Sequence, residues 1–120
     1  MSSPPESPAA EVEAAVRDYV EGWYSGDVRR MDRALHQELV NRIRTDDDPN
    51  ALRGVTRARM LELTAAGGGD APDADAQVVI DGISAEIASV RVVSPDYDYV
   101  HLARTADGWK IANVLYHNRR

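Results

Sequence analysis

The chain has 120 residues, enough for one hydrophobic core, and its 43% hydrophobic and 28% charged residues are ordinary for a globular domain. The net charge of −6 argues against a nucleic-acid partner, because neutralising phosphates requires a basic surface. The sequence has no cysteine, which excludes disulfides and thiolate chemistry and is compatible with the reducing cytoplasm, the location that we expect.

We expect neither a secretion signal at the N-terminus nor a membrane-spanning segment. No apolar run approaches the roughly 20 residues that span a bilayer. Residues 1–13 (MSSPPESPAAEVE) lack the basic start and apolar centre of a secretion signal. We therefore expect no membrane partner. Residues 1–7, rich in serine and proline, are predicted to be a disordered tail before a single domain over residues 8–120.

Hydrophobic spacing predicts three helices and one strand in the first half of the chain. Ser7 and Pro8 suit an N-cap and a first helical residue, and apolar residues then recur at steps of three and four as far as Trp23. Asp27 is placed to cap a second helix. The three adjacent aspartates after the first strand indicate a loop rather than a metal site, because neighbouring side chains point apart in an extended chain. The predicted elements are helices at about residues 8–24, 28–35 and 55–66, a strand at 38–44 and a loop at 46–50.

After residue 76 the hydrophobic period changes to two, which predicts four strands. They fall at residues 76–82, 84–93, 97–104 and 109–117. Helices followed by a run of antiparallel strands are typical of the α+β class, here in the order α-α-β-α-β-β-β-β. There is no phosphate-loop or dinucleotide fingerprint and no metal-ligand spacing. We therefore expect neither a metal nor a cofactor.

The segment TADGW, residues 105–109, is predicted to form a three-residue hairpin loop with Gly108 in the left-handed conformation and a bulge after it. A two-residue turn would instead shift the last strand by one residue and invert its faces. The first register pairs Thr105 with Trp109. One face then carries the pairs Asp98–Tyr116, Val100–Val114 and Leu102–Ala112. The other face carries Tyr97, Tyr99, His101 and Ala103 with Ile111, Asn113 and Leu115. We expect the first face to lie inside a curved sheet and the second to pack against another subunit.

Two segments carry a family resemblance. YVEGWYSGD (residues 19–27) and LARTADGWKIANVLY (residues 102–116), with the element order, resemble the nuclear transport factor 2-like superfamily, which includes ketosteroid isomerases and polyketide cyclases. Within it, residues 97–117 are most similar to the branch labelled "putative lumazine-binding". The resemblance spans about residues 10–118. It implies a cystatin-like cone, in which three helices pack on a strongly curved, mostly antiparallel sheet around a deep pocket, usually as a homodimer.

The resemblance also bears on single residues. Tyr19 matches the tyrosine of the first helix that ketosteroid isomerases use to donate a hydrogen bond to a developing oxyanion. The two carboxylates of those enzymes would fall near Val100 and Ile43, where this chain has none. Steroid isomerisation is therefore not expected. Asp98 lies two residues before Val100, on the same predicted face, and becomes the candidate for proton transfer.

The candidate site combines this carboxylate with aromatic and apolar neighbours. A carboxylate that faces an apolar interior loses hydration, which is expected to raise the pKa of Asp98 toward the range useful for proton transfer. Tyr116 is expected to hold it by a hydrogen bond, Tyr19 to serve as oxyanion donor, and His36 to act as a second base at the pocket rim. The predicted ligand-binding residues are Trp23, Tyr116, Val100, Leu102, Val114, Asn41 and Met60.

Two functions are compatible with the sequence. The first is a cofactor-independent acid–base enzyme, of the cyclase, dehydratase or isomerase type, that acts on an apolar or aromatic metabolite. The second is a non-catalytic ligand-binding or dimeric assembly module. An open cavity of several hundred cubic ångströms that contains Asp98 favours the enzyme, whereas a cavity filled by Met31, Met60 and Leu63 excludes it.

Overall fold

A computed structural model describes residues 7–68, 76–94 and 96–118. Residues 1–6 of the predicted tail lie outside the described residues. None of the three helices in the described ranges is long and apolar enough to cross a membrane. In chain order the elements are α1 (Pro8–Ser25), α2 (Val28–Ala34), β1 (Leu35–Thr45), β2 (Leu52–Thr56), α3 (Arg57–Ala65), β3 (Gln77–Ile83), β4 (Ile87–Ser94), β5 (Asp96–Thr105) and β6 (Gly108–Asn118).

The six strands of the described residues form one sheet in the order β2-β1-β6-β5-β4-β3. β1 runs parallel to β6, and every other pair of neighbours is antiparallel. The helices cover one face of the sheet, where α1 contacts β3 and β6 while α3 contacts β1 and β2. The predicted α+β class with a mostly antiparallel sheet is confirmed.

The helix ends follow from their capping residues. The Ser7 hydroxyl accepts a hydrogen bond from the backbone N–H of Ala10 at 3.2 Å, and Pro8 opens α1 as predicted. The Asp27 carboxylate accepts from the backbone N–H of Arg30 at 3.2 Å and caps α2. These side chains satisfy backbone donors that have no partner within their helices, which fixes where each helix begins.

The described residues contain one strand more than predicted. β2 pairs with β1, whereas the sequence pattern assigned residues 55–66 to the third helix. The helix begins at Arg57, because the hydroxyl of Thr56 caps it by accepting from the backbone N–H of Arg59 at 3.1 Å. β2 is a mostly exposed edge strand and shows no alternating hydrophobic pattern that would reveal it. The second helix is also shorter than predicted, since Leu35 already belongs to β1.

The hairpin between β5 and β6 departs from the predicted turn. Gly108 has a positive φ of 105°, as expected, but it pairs with Thr105, so the turn has two residues. A bulge at Ala112 then takes up one residue, because His101 pairs with Asn113 while Leu102 pairs with Ile111. The predicted pairs Thr105–Trp109 and Leu102–Ala112 are therefore wrong, whereas Asp98–Tyr116 and Val100–Val114 are confirmed.

The bulge also corrects the predicted faces of the sheet. Ile111, expected on the outer face, is fully buried in the core. Tyr97, Tyr99 and Leu115 lie on the outer face as predicted, and about half of each side chain is exposed. The core fills the space between the helices and the inner face. Its most deeply buried large apolar side chains in the described residues are Met31, Leu35, Leu102, Ile111, Val12, Val16, Val90, Val100 and Val114.

An ion-pair network joins α1 to α2. Asp18 accepts hydrogen bonds from Nε of Arg33 at 2.8 Å and from Nε of Arg30 at 3.0 Å. Arg30 also donates to Glu21 at 2.9 Å. The hydrogen bond from Arg33, with that from Arg30, lowers the pKa of Asp18 below its ordinary value. Because the Asp18 side chain is only 15% exposed, water screens this network less than it screens a surface pair.

We expect Asp18→Asn to lower the free energy of unfolding at pH 7 by about 1–2 kcal/mol, because it removes a charged acceptor shared by two arginines. The pKa of Asp18 is lower in the folded chain, so its stabilisation is present above the ordinary value of 3.8 and is lost as pH falls through the folded value. Urea unfolding at neutral and strongly acidic pH measures both effects.

The matched control is Glu13→Gln, which breaks the exposed pair with Arg17 on the same helix. An exposed pair contributes little, so this variant should unfold within about 0.5 kcal/mol of the wild type. A deficit for Asp18→Asn that is equally large at acidic pH would contradict the assignment.

Candidate functional site

A cavity of about 200 Å³ lies between the helices and the inner face of the sheet, and it is smaller than the several hundred cubic ångströms expected for an enzyme. For scale, an apolar cavity of about 150 Å³ accepts benzene, so this one has room for a molecule of one ring or two small rings. Met60 and Leu63 form walls of the cavity and do not fill it, and Met31 lies in the core. The walls are mostly apolar, and their polar members include Tyr19, Asn41, Asp98 and Tyr116.

Tyr19 and Asp98 meet at this cavity although they are 79 residues apart in the chain. The Tyr19 hydroxyl donates to Oδ2 of Asp98 at 3.4 Å. Tyr19 lies on the buried face of α1, one turn before Trp23, and Asp98 lies on the inner face of β5. Tyr116 is directly opposite Asp98 on β6. Sequence analysis placed all four residues on the inward side correctly.

Burial shapes the protonation of the two phenols. Burial raises the pKa of Tyr19 well above its ordinary value of 10.0, and the neighbouring charge of Asp98 raises it further. The pKa of Tyr116 is also raised, first by burial and then by Asp98. Both hydroxyls therefore keep their protons throughout the neutral range and remain hydrogen-bond donors.

The segment that follows α3 lies close to the backbone of Trp23 at the cavity. The N–H of Gly68 donates to the carbonyl of Leu63 at 2.9 Å and closes the helix end. Gly68 has a φ of 56°, and a Cβ atom at this position would lie 1.9 Å from the carbonyl oxygen of Trp23. Only glycine fits so close an approach of two backbones. The segment after α3 thus packs directly against the backbone of Trp23, whose side chain lines the cavity.

Asn41 is a buried polar part of the wall. It lies on β1 and is 2% exposed. Its side-chain Nδ2 donates to the sulfur of Met60 at 3.2 Å, and its Oδ1 has no hydrogen-bond partner in the described part of the chain. Sequence analysis named both residues as ligand-binding candidates, and both line the cavity.

His36 does not lie at the cavity, and the prediction of a base at the pocket rim is wrong. Its Nδ1 accepts from the backbone N–H of Glu38 at 2.9 Å, and the ring lines a separate surface cleft with Arg57 and Lys110. The physical reason is strand alternation. β1 begins at Leu35, which points into the core, so the next side chain points away from it.

Val100, Leu102 and Val114 belong to the packed core and are not among the residues that line the cavity, so their prediction as ligand contacts is wrong. They share one cluster with Met31 and Leu35, which fills that part of the inner face. The lining residues that the sequence did not predict as site residues are Val20, Tyr24, Ile43, Val55, Leu63, Ala76 and Val92.

Strand alternation could have found two of these. Ile43 shares a face with Asn41 two residues earlier, and Val92 pairs with Asp98. Val55 could not be predicted in this way, because the sequence pattern assigned it to the third helix.

Solved structures share this fold across nearly the whole chain. An NTF2-like protein of unknown function from Shewanella baltica has a TM-score of 0.73 at 18% identity, covering 99% of both chains. A cystatin-like fold protein from Burkholderia xenovorans has 0.65 at 17%, covering 92% of this chain and 90% of its own. A ketosteroid isomerase-like protein from Erwinia carotovora atroseptica has 0.61 at 15%, covering 94% and 97%. At these identities the likeness establishes the fold alone.

No curated protein gives a significant match to the chain. The family model described as "Putative lumazine-binding" matches residues 7–117. The chain belongs to this family, and it shares its fold with proteins described as NTF2-like.

Proposed function

We propose that the chain binds a small apolar or aromatic metabolite in the cavity and catalyses a cofactor-independent acid–base reaction on it, of the cyclase, dehydratase or isomerase type. The observation that carries the proposal is the Tyr19–Asp98 hydrogen bond at a cavity of about 200 Å³. The description of the family supports small-molecule binding. The cytoplasmic location expected from the cysteine-free sequence is part of the same proposal.

Asp98 acts as the base. A C–H bond beside a carbonyl group of the substrate breaks, its proton passes to the carboxylate, and the electron pair forms an enolate. Where the enolate is conjugated with a C=C bond, the double bond shifts as the proton returns to the far carbon of that bond, which gives an isomer. Expulsion of a hydroxyl group, which takes the proton from Asp98 and leaves as water, gives a dehydrated product. The apolar walls around the carboxylate strengthen its interactions, because they exclude water.

Tyr19 stabilises the enolate oxygen. Its raised pKa keeps the hydroxyl protonated, so it can donate to the oxygen on which negative charge develops. In the structure this hydroxyl donates to Asp98. Once Asp98 has taken up a proton, its own O–H can donate to the Tyr19 oxygen, which frees the phenol proton for the substrate. Proton uptake and oxyanion stabilisation are thus coupled through one hydrogen bond.

Hydrogen–deuterium exchange at carbon tests the chemistry without knowledge of the natural product. The wild type is expected to accelerate exchange of the acidic C–H groups of small aromatic carbonyl compounds such as 2-tetralone, 2-indanone and oxindole in D₂O, followed by NMR. Asp98→Asn should lower the rate by about 100-fold or more, and Tyr19→Phe by about 10- to 100-fold.

The matched control is Asp81→Asn, which removes an exposed carboxylate paired with Arg91 away from the cavity and should leave the exchange rate unchanged. Binding of the probes without any acceleration by the wild type would reject the enzyme in favour of the non-catalytic ligand-binding module.

The raised phenol pKa values predict how the protein behaves in alkali. Because the pKa of Tyr19 and of Tyr116 is higher in the folded chain, their stabilisation is complete below the ordinary value of 10.0 and is lost as pH rises through the folded values. As pH rises, the tyrosinate absorbance of the folded chain should therefore increase in an early phase and in a late phase at higher pH. Tyr19→Phe should reduce the amplitude of the late phase alone. In concentrated urea, where the chain is unfolded, the same substitution should lower the tyrosinate absorbance by the same fraction at every pH. Removal of amplitude from the early phase of the folded chain would contradict the assignment.

The outer face of the sheet supports a homodimer. Tyr99 and Leu115 face each other across β5 and β6, and the Tyr97 and Tyr99 rings stack with centroids 6.1 Å apart. A contiguous apolar face of this kind is unusual on a monomer. A second copy packed by two-fold symmetry would cover the same patch on both chains. The exposed apolar side chains of β1, β2, β5 and β6 are Val40, Leu52, Tyr97, Tyr99 and Leu115.

We expect the wild type to sediment with twice the 13.2 kDa mass of one chain. Leu115→Lys should convert it to a monomer, because a lysine at the centre of the face would have to be buried without a partner. Ala65→Lys, at an exposed position on α3, introduces the same charge elsewhere and should leave the dimer intact. A monomeric wild type would overturn the dimer and leave the proposed chemistry untouched.

A further inference from the structure

One polar group at the cavity is not explained by folding. Oδ1 of Asn41 is buried and has no hydrogen-bond partner among the described residues. A buried acceptor without a partner destabilises the folded chain, whereas an apolar side chain of similar shape at the same position would not. The strand neighbours of Asn41 are Val55 on β2 and Val114 on β6, so an apolar residue would suit its surroundings.

The contact with Met60 fixes which end of the amide is unpaired. A thioether sulfur accepts hydrogen bonds weakly and cannot donate. Nδ2 of Asn41 therefore points to the sulfur, at 3.2 Å, and the oxygen is the end left over. The reversed amide would place two acceptors against each other. The sulfur is a weak acceptor even for the nitrogen. Both ends of the Asn41 amide would therefore form stronger hydrogen bonds with a ligand than they form with the protein.

Met60 is suited to move aside. Its side chain is unbranched, with three rotatable bonds, and adapts to irregular space. It lines the same cavity as Asn41, and its sulfur accepts a weak hydrogen bond from Nδ2 of Asn41. Displacement of the Met60 side chain would present an N–H donor and a carbonyl acceptor side by side at the cavity wall.

We infer that Asn41 recognises a ligand with an adjacent N–H and C=O, as in a cyclic amide, and that Met60 is the movable cover of this recognition group. The ligand N–H donates to Oδ1 of Asn41 while its carbonyl accepts from Nδ2. This inference rests on the proposed function, because it names the ligand class of the same cavity. Aromatic hydrocarbons, and compounds that offer only acceptors, leave the oxygen of Asn41 unpaired and bind more weakly.

The position of Asn41 relative to Asp98 fits such a ligand. Asn41 is on β1 and Asp98 on β5, with β6 between them, so two strand spacings of about 5 Å each separate them across the sheet. A two-ring molecule bound at one end by the amide reaches across this distance. Its far ring then lies near the Tyr19–Asp98 pair, so Asn41 would orient the ligand for the proposed chemistry.

A matched pair of probes tests the inference. 1-Isoquinolone offers the N–H and C=O edge, and N-methyl-1-isoquinolone has the same rings and carbonyl without the donor. Titration calorimetry on the wild-type chain should show 1-isoquinolone binding at least 10-fold more tightly, which is the effect of one hydrogen bond that would otherwise leave a buried acceptor unpaired. This comparison needs no variant and does not depend on whether a mutant folds.

Asn41→Leu gives the second readout. We expect the ratio of the two affinities to fall to about one in this variant. Without ligand, its melting temperature should rise by a few degrees, because the unpaired acceptor is gone. Met60→Leu, which keeps the volume and removes the sulfur, should retain binding of 1-isoquinolone. A purely structural Asn41 would give the opposite sign, namely a lower melting temperature in Asn41→Leu with no change in the affinity ratio.

The outcomes separate this inference from the proposed function. Equal binding of the two isoquinolones by the wild type overturns the role of Asn41 and leaves ligand binding in the cavity standing. A lower melting temperature of Asn41→Leu with an unchanged ratio does the same. If neither isoquinolone nor any carbonyl compound of the exchange experiment binds, the cavity is not a small-molecule site, and both proposals fail together.

Discussion

The register of β6 on β5 is the constraint on which the candidate site depends. Side chains alternate between the two faces of a strand, so a shift of one residue would exchange the inner and outer sets. The two-residue turn at Ala106 and Asp107 would produce this shift, and the bulge at Ala112 reverses it. As a result Val114 and Tyr116 face the helices, and Leu115 faces outward. The Asp98–Tyr116 pair and the outer apolar face are both consequences of this single extra residue.

The cavity combines groups that a stable core would avoid. A carboxylate and two phenols lie together against apolar walls, and burial raises the pKa of both phenols. The oxygen of Asn41 adds an unpaired acceptor, which on general grounds costs about 1–3 kcal/mol. Natural chains retain such features chiefly where function requires them. Stability is supplied elsewhere, by the solid cluster around Met31 and by the ion pairs that join α1 to α2.

Local patterns were enough to predict part of this structure. Helical spacing and the Ser7 and Asp27 caps gave α1 and the start of α2, because these signals act within a few residues. Period-two alternation placed Asp98 on the inner face. β2 and the Ala112 bulge were missed, because an exposed edge strand has little pattern and a bulge depends on the partner strand. His36 was misplaced because the predicted second helix ended one residue too late. β1 already begins at Leu35, and successive side chains of a strand point to opposite faces. The unpaired oxygen of Asn41 arises from the contact with Met60, 19 residues away, and no local signal reports it.

The parallel pairing of β1 with β6 has a consequence for how the chain reaches its native state. The last strand of the domain lies in the interior of the sheet, with β1 on one side and β5 on the other. During synthesis on the ribosome, the helices and the first hairpin emerge long before the strand that joins them to the rest. The pairing of β1 with β6 and the contacts of α1 with β6 therefore form only when β6 is available, and such long-range pairing slows folding. A frameshift that removed β6 alone would therefore divide the sheet and leave β2 and β1 without a link to β5, β4 and β3.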